Sequence, residues 1–341
     1  NFGEGKYPVQ TDNTESDGSG AIGYLVGEPG KGLGYMFHMM NEARIGVGLA
    51  ATMLGMAGYE ASLAYAKNRP QGRPVSGGSQ KVIKDAAQGQ VRIIEHADIK
   101  RMLLAQKSYC EGALALELYC AKLVDEQHTG SPESVNEARL LLEVLTPIAK
   151  SWPSEWCLEA NSLAIQIHGG YGYTRDFPVE QYWRDNRLNM IHEGTHGIQA
   201  MDLLGRKVLM EEGAGLKLLA ARILATCDKA MHSPELTPNA QLLKVALGKV
   251  AAATQQAWST GQPQEALANA VPYLQAFGHL VLAWTWLDVV ASTQSHQTTA
   301  DVGRRAAAEF FFQYELPKID AWLQVVSTRN MTCANLPEEA F

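Results

Sequence analysis

The stretch 36-MFHMMNEARIGVGLAATMLGMAGYEASLAYAK-67 decides the fold class. Its Ala, Met and Leu residues recur with the spacing of an α-helix. The pattern stops near Pro70, with Gly72 and Pro74 just beyond, and such residues are typical of the end of a helix. We therefore expect a long α-helix here, as the first helix of a bundle.

Two more long helices are expected after this one. The second covers about 91–127, where Leu and Ala form a wide apolar stripe. The third covers about 135–167, with an N-cap at Ser131 or Ser134 and a bend at one of its two prolines. Long helices joined by short loops are typical of an antiparallel bundle.

The rest of the chain is predicted to be helical as well. A shorter helix ends near Asn189, another runs from about Glu193 to Leu209, and four more follow residue 211. Only Ala21 to Val26 has the pattern of a short β-strand. The predicted fold is all-α: a long-helix bundle, an additional helical domain and a short β remnant at the N-terminus.

Composition excludes several classes of protein. The chain has 341 residues, of which 46% are hydrophobic and 19% charged, so it is globular. A net charge of −7 argues against nucleic acid or an anionic membrane as a partner, and no apolar run is long enough for a membrane span. Five scattered cysteines without CxxC indicate a reducing compartment, and we expect a cytoplasmic protein.

The stretch 191-IHEGTHGIQ-199 contains the pattern H-E-x-x-H. On a helix this spacing places two zinc-binding His side chains on one face, with the Glu as general base. The two residues between them, Gly and Thr, are poor in a helix interior and suit a helix start better. A zinc hydrolase using His192, Glu193 and His196 remains an alternative, although the longer form of the zinc motif is not matched.

Three stretches together resemble one family. They are 41-NEARIGVG…YAKNRPQGR-73, 166-QIHGGYGYTRDFPVEQYWRDNR-187 and 191-IHEGTHGIQ-199, and they resemble the C-terminal helical domain of acyl-CoA dehydrogenases. The segment 21-AIGYLVGEPGKGL-33 resembles the last strand of that family's middle β-domain. The order and spacing of the motifs are more specific than any one of them.

The resemblance implies a domain organisation. Residues 1–33 would be a remnant of the middle domain, and 34–210 the C-terminal helical bundle. Residues 211–341 resemble the extra helical domain of larger bacterial members, of the methylmercaptopropionyl-CoA dehydrogenase type. The family's N-terminal domain and most of its middle domain have no counterpart here, so we expect a C-terminal fragment.

The resemblance assigns the chemistry to Glu193. Family members use FAD to desaturate an acyl-CoA thioester between its α and β carbons, and their usual base is the Glu of Tyr-Glu-Gly-Thr, which Glu193 matches. A positioned carboxylate in a dry site is required because the α-proton is weakly acidic. Burial beside the acyl chain and flavin should raise the pKa of such a base.

Neighbours of Glu193 are expected to serve substrate and flavin. Gly194 allows a close approach of the chain to the substrate, and Thr195 matches the last residue of the family motif, at the flavin. This sequence has His192 where Tyr is common. A minority of the family carries the base on the first bundle helix, where Ala43 stands here and Glu42 is its neighbour.

Two arginines match family positions. Arg44 matches an arginine that binds the polar part of the CoA chain, while an ion pair with Glu42 or another acid would be a structural alternative. Arg69 matches the arginine that binds the flavin pyrophosphate, although the surrounding motif is altered.

Gln166, Gly169 and Gly170 match the family's Gln-x-x-Gly-Gly motif, which approaches the ADP half of FAD. The glycines follow a helix and lack the spacing of a dinucleotide-binding fingerprint, so taken alone they would be only a turn. His168 is interpreted as a loop or packing residue. The charged cluster 183-WRDNR-187 is interpreted as ion pairs that fix the following loop.

The resemblance also implies partners. They are an acyl-CoA substrate, an electron-transfer flavoprotein or similar acceptor, and further copies of the chain in a homodimer or homotetramer. No metal is expected in the dehydrogenase. Besides the zinc hydrolase, the remaining alternative is a non-catalytic helical scaffold descended from the dehydrogenase.

Overall fold

A computed structural model describes residues 24–74, 88–294 and 297–341, apart from the side chains of Phe37 and His38. Up to residue 202 the helices are α1 (Gly32–Asn68), α2 (Ala97–Thr129), α3 (Pro132–His168), α4 (Val179–Arg187) and α5 (His196–Asp202). The three long helices confirm the expected bundle. Their ends differ from the predicted ones by a few residues, the usual scale of error for helix ends.

The later helices are α6 (Met210–Ala230), α7 (Thr237–Ala257), α8 (Pro263–Leu267), α9 (Ala270–Ser292), α10 (Thr299–Phe310) and α11 (Ile319–Ser327). Four were predicted in this part of the chain and six are found among the described residues. One reason is the five-residue α8, which is too short to show a periodic pattern. The other is Pro317, which lies in the 3₁₀ turn Leu316–Lys318 between α10 and α11.

Local sequence explains how α3 begins. Ser131 is its N-cap, and the Ser131 hydroxyl accepts a hydrogen bond from the Ser134 N–H at 3.3 Å. This identifies which of the two predicted serines caps the helix. Both Pro147 and Pro153 lie inside α3, which continues through them as a single helix.

The described residues before Glu42 form a loop and the first turns of α1. Tyr24 to Val26, the described part of the predicted strand 21–26, has no regular secondary structure, and residues 21–23 lie outside the described ranges. A strand needs a neighbour for its backbone groups. Among the described residues the only β pairing is an isolated bridge between Pro70 and Arg92.

Residues 42–341 form one compact unit with α9 at its centre. α9 contains the strongly apolar stretch 272–290 and is buried, with Tyr273 and Trp286 almost fully buried. Trp286 donates to the Ser108 carbonyl of α2 at 3.0 Å, and a Cβ at Gly112 would lie 2.6 Å from the indole nitrogen. A glycine at 112 therefore lets α2 and α9 approach closely.

Of the helices described, α9 is long and apolar enough to cross a membrane, and 78% of its apolar window is buried inside the protein. The core of helical side chains includes residues on both sides of position 210. The predicted domain boundary at 210/211 stays a prediction. Four cysteines are buried free thiols, and Cys333 is exposed.

Candidate functional site

The turn formed by residues 191–195 carries Glu193. Glu193 has a φ of 56° and Gly194 a φ of 99°, both in the left-handed region that side-chain-bearing residues rarely adopt. Thr195 returns to an extended conformation as the N-cap of α5, without a side-chain capping bond. The glutamate is thus presented on a strained turn and not on a helix.

The helix predicted from Glu193 to Leu209 is wrong at both ends. Left-handed residues cannot continue a right-handed helix, so α5 begins only at His196. After Asp202 the chain forms the π-helical turn Leu203–Lys207. Hydrophobic spacing could not reveal either change, because both are backbone effects.

The zinc arrangement requires both histidines on one helix face, and the structure places them otherwise. His192 precedes α5, and its Nδ1 lies 3.1 Å from the Leu188 carbonyl. His196 is the first residue of α5, and its Nδ1 lies 3.5 Å from the Glu155 carboxylate on α3. Within residues 24–74, 88–294 and 297–341, no three His, Cys, Asp or Glu side chains are grouped as metal ligands. The geometry does not match a zinc-peptidase helix.

Two buried side chains hold the carbonyls of the 191–195 turn. Lys150 Nζ donates to the Gly194 carbonyl at 2.7 Å, and Gln199 Nε2 donates to the Glu193 carbonyl at 3.0 Å. Both side chains have no exposed surface. The two peptide groups that flank Gly194 are therefore fixed from the interior of the bundle.

Gly194 meets two requirements at once. Its positive φ favours glycine, and a Cβ at this position would lie 2.5 Å from Gln199 Nε2. Any larger residue would displace the amide that holds the Glu193 carbonyl. The structure thus gives a local reason for Gly194, while its contact with substrate stays a prediction.

Buried charges surround the turn. Arg44 of α1 is 5% exposed, and its Nη1 lies 3.6 Å from the Asp202 carboxylate of α5. An ion pair with an acid was the structural alternative for this residue, and Asp202 is that acid. Arg44 Nε is buried without a hydrogen-bond partner among the described residues. Its guanidinium therefore retains an unused donor.

Two lysines near Arg44 have lowered pKa values. Burial, and then the Arg44 charge, lower the pKa of Lys150 to about 8, whereas Glu193 acts in the opposite direction. Burial and the Arg44 charge also lower the pKa of Lys207 to about 8. Lys207 differs from Lys150 because it has a carboxylate partner, Glu143 of α3.

The C-terminal helices reach this region through Glu155. Gln275 of α9 donates to the Glu155 carboxylate at 2.8 Å, and Glu155 in turn faces His196. Burial raises the pKa of Glu155. Burial, followed by the charges of Lys150 and Arg187, lowers the pKa of His196 to about 4. The first residue of α5 is therefore a neutral imidazole at neutral pH.

Amides, and not ion pairs, fix the segment before the turn. The predicted ion-pair cluster is only peripheral, since exposed Arg184 pairs with Glu180 on its own helix at 3.4 Å. Buried Asn186 instead donates to Asn161 of α3 at 2.7 Å and to the Ala51 carbonyl of α1 at 3.1 Å. A short amide side chain can be buried at lower cost than a charged one.

The predicted flavin residues form a second group. Arg69 follows α1, and its guanidinium lies over the ring of Tyr171, 5.5 Å from the ring centre. Its Nε is buried without a hydrogen-bond partner among the described residues. His168 is buried and stacks on Tyr65 with ring centres 4.3 Å apart, which confirms the packing interpretation.

Gly169 and Gly170 lie at an open surface, because a Cβ added to either would meet no atom within 4 Å. Gly169 ends α3 with a φ of 62°. Gln166 is exposed one turn earlier and lines a cavity of about 600 Å³ together with Tyr173 and Arg175. The segment leaves room for a ligand to approach the backbone.

Sequence reasoning missed the residues that support the turn. Lys150, Glu155 and Asn161 lie inside α3, where the helical pattern predicts only packing. A buried lysine can be recognised only when its neighbours are known. Glu42 was considered as a second base, and its exposed side chain lies 3.9 Å from His128.

Comparison with known proteins identifies the family. Residues 79–209 match the family model described as "Acyl-CoA dehydrogenase, C-terminal domain", and residues 219–337 match "Acetyl-CoA dehydrogenase C-terminal like". The chain is 39% identical to the 3-methylmercaptopropionyl-CoA dehydrogenase of Ruegeria pomeroyi, over 77% of this chain and 44% of that protein. It is 31% identical to the broad-specificity linear acyl-CoA dehydrogenase FadE5 of Mycobacterium tuberculosis, over 94% of this chain and 55% of the relative.

The fold agrees with these matches. The crystal structure of Caenorhabditis elegans ACDH-11 in complex with C11-CoA aligns with a TM-score of 0.73 at 19% identity, covering 93% of this chain and 51% of that one. The chain spans about half the length of the relatives it matches. It belongs to the acyl-CoA dehydrogenase family, and its matched residues correspond to that family's C-terminal domains.

Proposed function

We propose that this chain forms the helical part of an FAD-dependent acyl-CoA dehydrogenase in which Glu193 removes the α-proton of the thioester. The observation that carries the proposal is the turn itself. Glu193 has a left-handed backbone, and buried donors from α3 and α5 hold its own carbonyl and the next one. Strained residues supported from several sides are typical of active sites.

The residues present fit the flavin that the family uses. Arg69 offers a cation with an unpartnered, buried Nε, which suits a pyrophosphate. Gly169 and Gly170 leave open space beside their backbone, and Gln166 is exposed next to them. When bound, the flavin accepts the hydride from the β carbon. Thr195, exposed at the start of α5, completes the proposed cofactor contacts.

The chain's own residues then perform the proton transfer. The Glu193 carboxylate accepts the α-proton, and its strained turn aims it at one position. Gly194 lets the substrate approach beside that carboxylate. Arg44, with its unused buried donor, would bind the polar part of the CoA chain. Each of these proposed roles is the one that the family motif assigns to its position.

The proposed substrate is an acyl-CoA, since the relatives are named as dehydrogenases of such thioesters. The electrons would pass to an electron-transfer flavoprotein or a similar acceptor. A homodimer or homotetramer would complete the flavin site, because family members share flavin contacts between subunits. The whole protein is therefore the proper subject of any activity assay.

The test is flavin bleaching in the full-length protein. Without oxygen, acyl-CoAs of different chain length are added and the visible flavin bands are followed in a stopped-flow instrument. Wild type should bleach with at least one of them. Glu193→Gln should slow the bleaching by about 10³-fold, within the usual contribution of a general base.

Glu212→Gln is a matched control. Glu212 is an exposed glutamate that also has a left-handed backbone, with a φ of 55°, so the same change is made in a similar conformation. It should bleach at the wild-type rate. A protein that takes up no FAD would indicate the non-catalytic scaffold, and equal rates for wild type and Glu193→Gln would overturn the role of Glu193.

A further inference from the structure

Lys150 is an unusual residue for the interior of a helical bundle. Its side chain is fully buried in the middle of α3, and within the described ranges its ammonium makes one hydrogen bond, to the Gly194 carbonyl at 2.7 Å. No carboxylate lies within ion-pair distance of it among the described residues. A buried charge without such a partner is destabilising, so a packing role alone does not account for it.

The charged groups around Lys150 come from each element packed against it. Arg44 faces it from α1, Glu193 from the 191–195 turn and His196 from α5. Of these, only Glu193 offers a negative charge, because His196 is neutral at neutral pH and Arg44 repels the ammonium. Of the groups that shift the pKa of the lysine, the proposed base is thus the one of opposite charge.

We propose that Lys150 is a positioning residue for Glu193: its buried side chain holds the 191–195 turn through the hydrogen bond to the Gly194 carbonyl. The proposal rests on the proposed function of Glu193. It does not require Lys150 to touch substrate. The hydrogen bond fixes the backbone that carries the carboxylate, and so the position from which that carboxylate can accept a proton.

Burial and the Arg44 charge lower the pKa of Lys150 to about 8. The neutral amine that forms above that pH still donates a hydrogen bond. The hold on the turn therefore does not depend on the charge of the lysine and can be tested by substitution.

Two substitutions test this hold in the full-length FAD-loaded protein. Lys150→Met fills a similar volume and removes the hydrogen bond. Lys150→Gln keeps an N–H donor on a shorter side chain. We expect Lys150→Met to reduce the rate of anaerobic flavin bleaching at saturating acyl-CoA by about 100-fold, as for a misplaced catalytic group. Lys150→Gln should retain more of the rate.

A matched control separates this role from the general effect of removing a buried lysine. Lys207→Met is that control, since Lys207 is a buried lysine with a pKa of about 8 that does not contact the turn. Its bleaching rate should stay at the wild-type value.

A second measurement does not depend on activity or bound flavin. Hydrogen exchange of the backbone amides in 191–199 should become faster in Lys150→Met and stay unchanged in Lys207→Met. Unchanged exchange in Lys150→Met, or a wild-type bleaching rate, would overturn the proposal. Equal bleaching by wild type and Glu193→Gln would instead overturn the proposed function, and the exchange data would still test whether Lys150 holds the turn.

Discussion

Two segments of the molecule leave the helical conformation through left-handed residues that include a glutamate and a glycine. In the 191–195 turn, Glu193 and Gly194 have φ angles of 56° and 99°. The segment 211–213 interrupts the start of α6, and its residues Glu211, Glu212 and Gly213 have φ angles of 49°, 55° and 77°. By backbone conformation alone the two segments are equivalent, and only their surroundings distinguish them.

The difference lies in what holds each segment. The 191–195 turn is held by Lys150 and Gln199, which are both fully buried. The 211–213 segment has an ion pair between Glu211 and Arg139, whose side chains are 51% and 39% exposed. A left-handed backbone therefore does not mark a functional site by itself. Buried polar side chains are the stronger sign of a functional site, because their burial costs free energy unless they are hydrogen-bonded.

The largest effect is expected when alanine replaces the glycine of each segment. Gly194→Ala places a Cβ 2.5 Å from Gln199 Nε2 and forces alanine into a left-handed conformation. The turn must then move, and the flavin bleaching rate should fall by about 100-fold or more. Gly213→Ala also places alanine in a left-handed conformation, at a φ of 77°, but its nearest contact is the Val208 carbonyl at 3.4 Å.

Gly213→Ala should therefore reduce the free energy of unfolding by about 1 kcal/mol and leave the bleaching rate unchanged. Urea unfolding and stopped-flow bleaching of both variants make the comparison. Equal losses of rate in the two variants would mean that the contrast between the segments is not functional. A Gly194→Ala variant with full activity would show that the contact with Gln199 is dispensable.

The next effect concerns pH and His196, the titrating group that directly follows the 191–195 turn. Burial lowers the pKa of His196 to about 4, against about 6.5 in the unfolded chain. Between these values the unfolded state binds a proton that the folded state does not, so the stabilising contribution is complete above pH 6.5 and is lost as the pH falls toward 4.

His196→Gln removes this contribution. Relative to wild type, the free energy of unfolding of the variant should gain about 3 kcal/mol as the pH is lowered from 7 to 4. Glu155, whose pKa burial raises, remains in both proteins and cancels in the difference. Parallel curves of unfolding free energy against pH for wild type and variant would contradict the assignment.

The sequence predicted most of the bundle. Hydrophobic spacing located α1, α2 and α3, because in each the helical period continues over many residues. The motifs also singled out Glu193, Arg69 and the glycines at 169 and 170 as candidate site residues, whose roles stay predictions. Such features depend on residue type and spacing along the chain, which a sequence displays directly.

The support of the site could not be predicted in this way. Lys150 lies 44 residues before Gly194, and only the packing of α3 against the turn brings them together. The cluster 183-WRDNR-187 was interpreted through its charges, whereas its buried Asn186 makes the contacts. The helix predicted from Glu193 failed because left-handed backbone does not change the hydrophobic pattern. Each of these failures concerns a tertiary contact or a dihedral angle.

The smallest effect is expected at the Glu211–Arg139 ion pair. Glu211→Gln keeps the size of the side chain and removes one charge of a pair whose Nη2 and Oε1 atoms are 2.8 Å apart. Exposed pairs contribute roughly 0–1 kcal/mol, so the free energy of unfolding should fall by about 0.5 kcal/mol at low salt and by less in 1 M salt. The bleaching rate should not change.

A loss well above 1 kcal/mol that persists in high salt would show that solvent does not screen this pair. The 211–213 segment would then be held as firmly as the 191–195 turn, and firm support could no longer serve to distinguish the functional segment from the structural one.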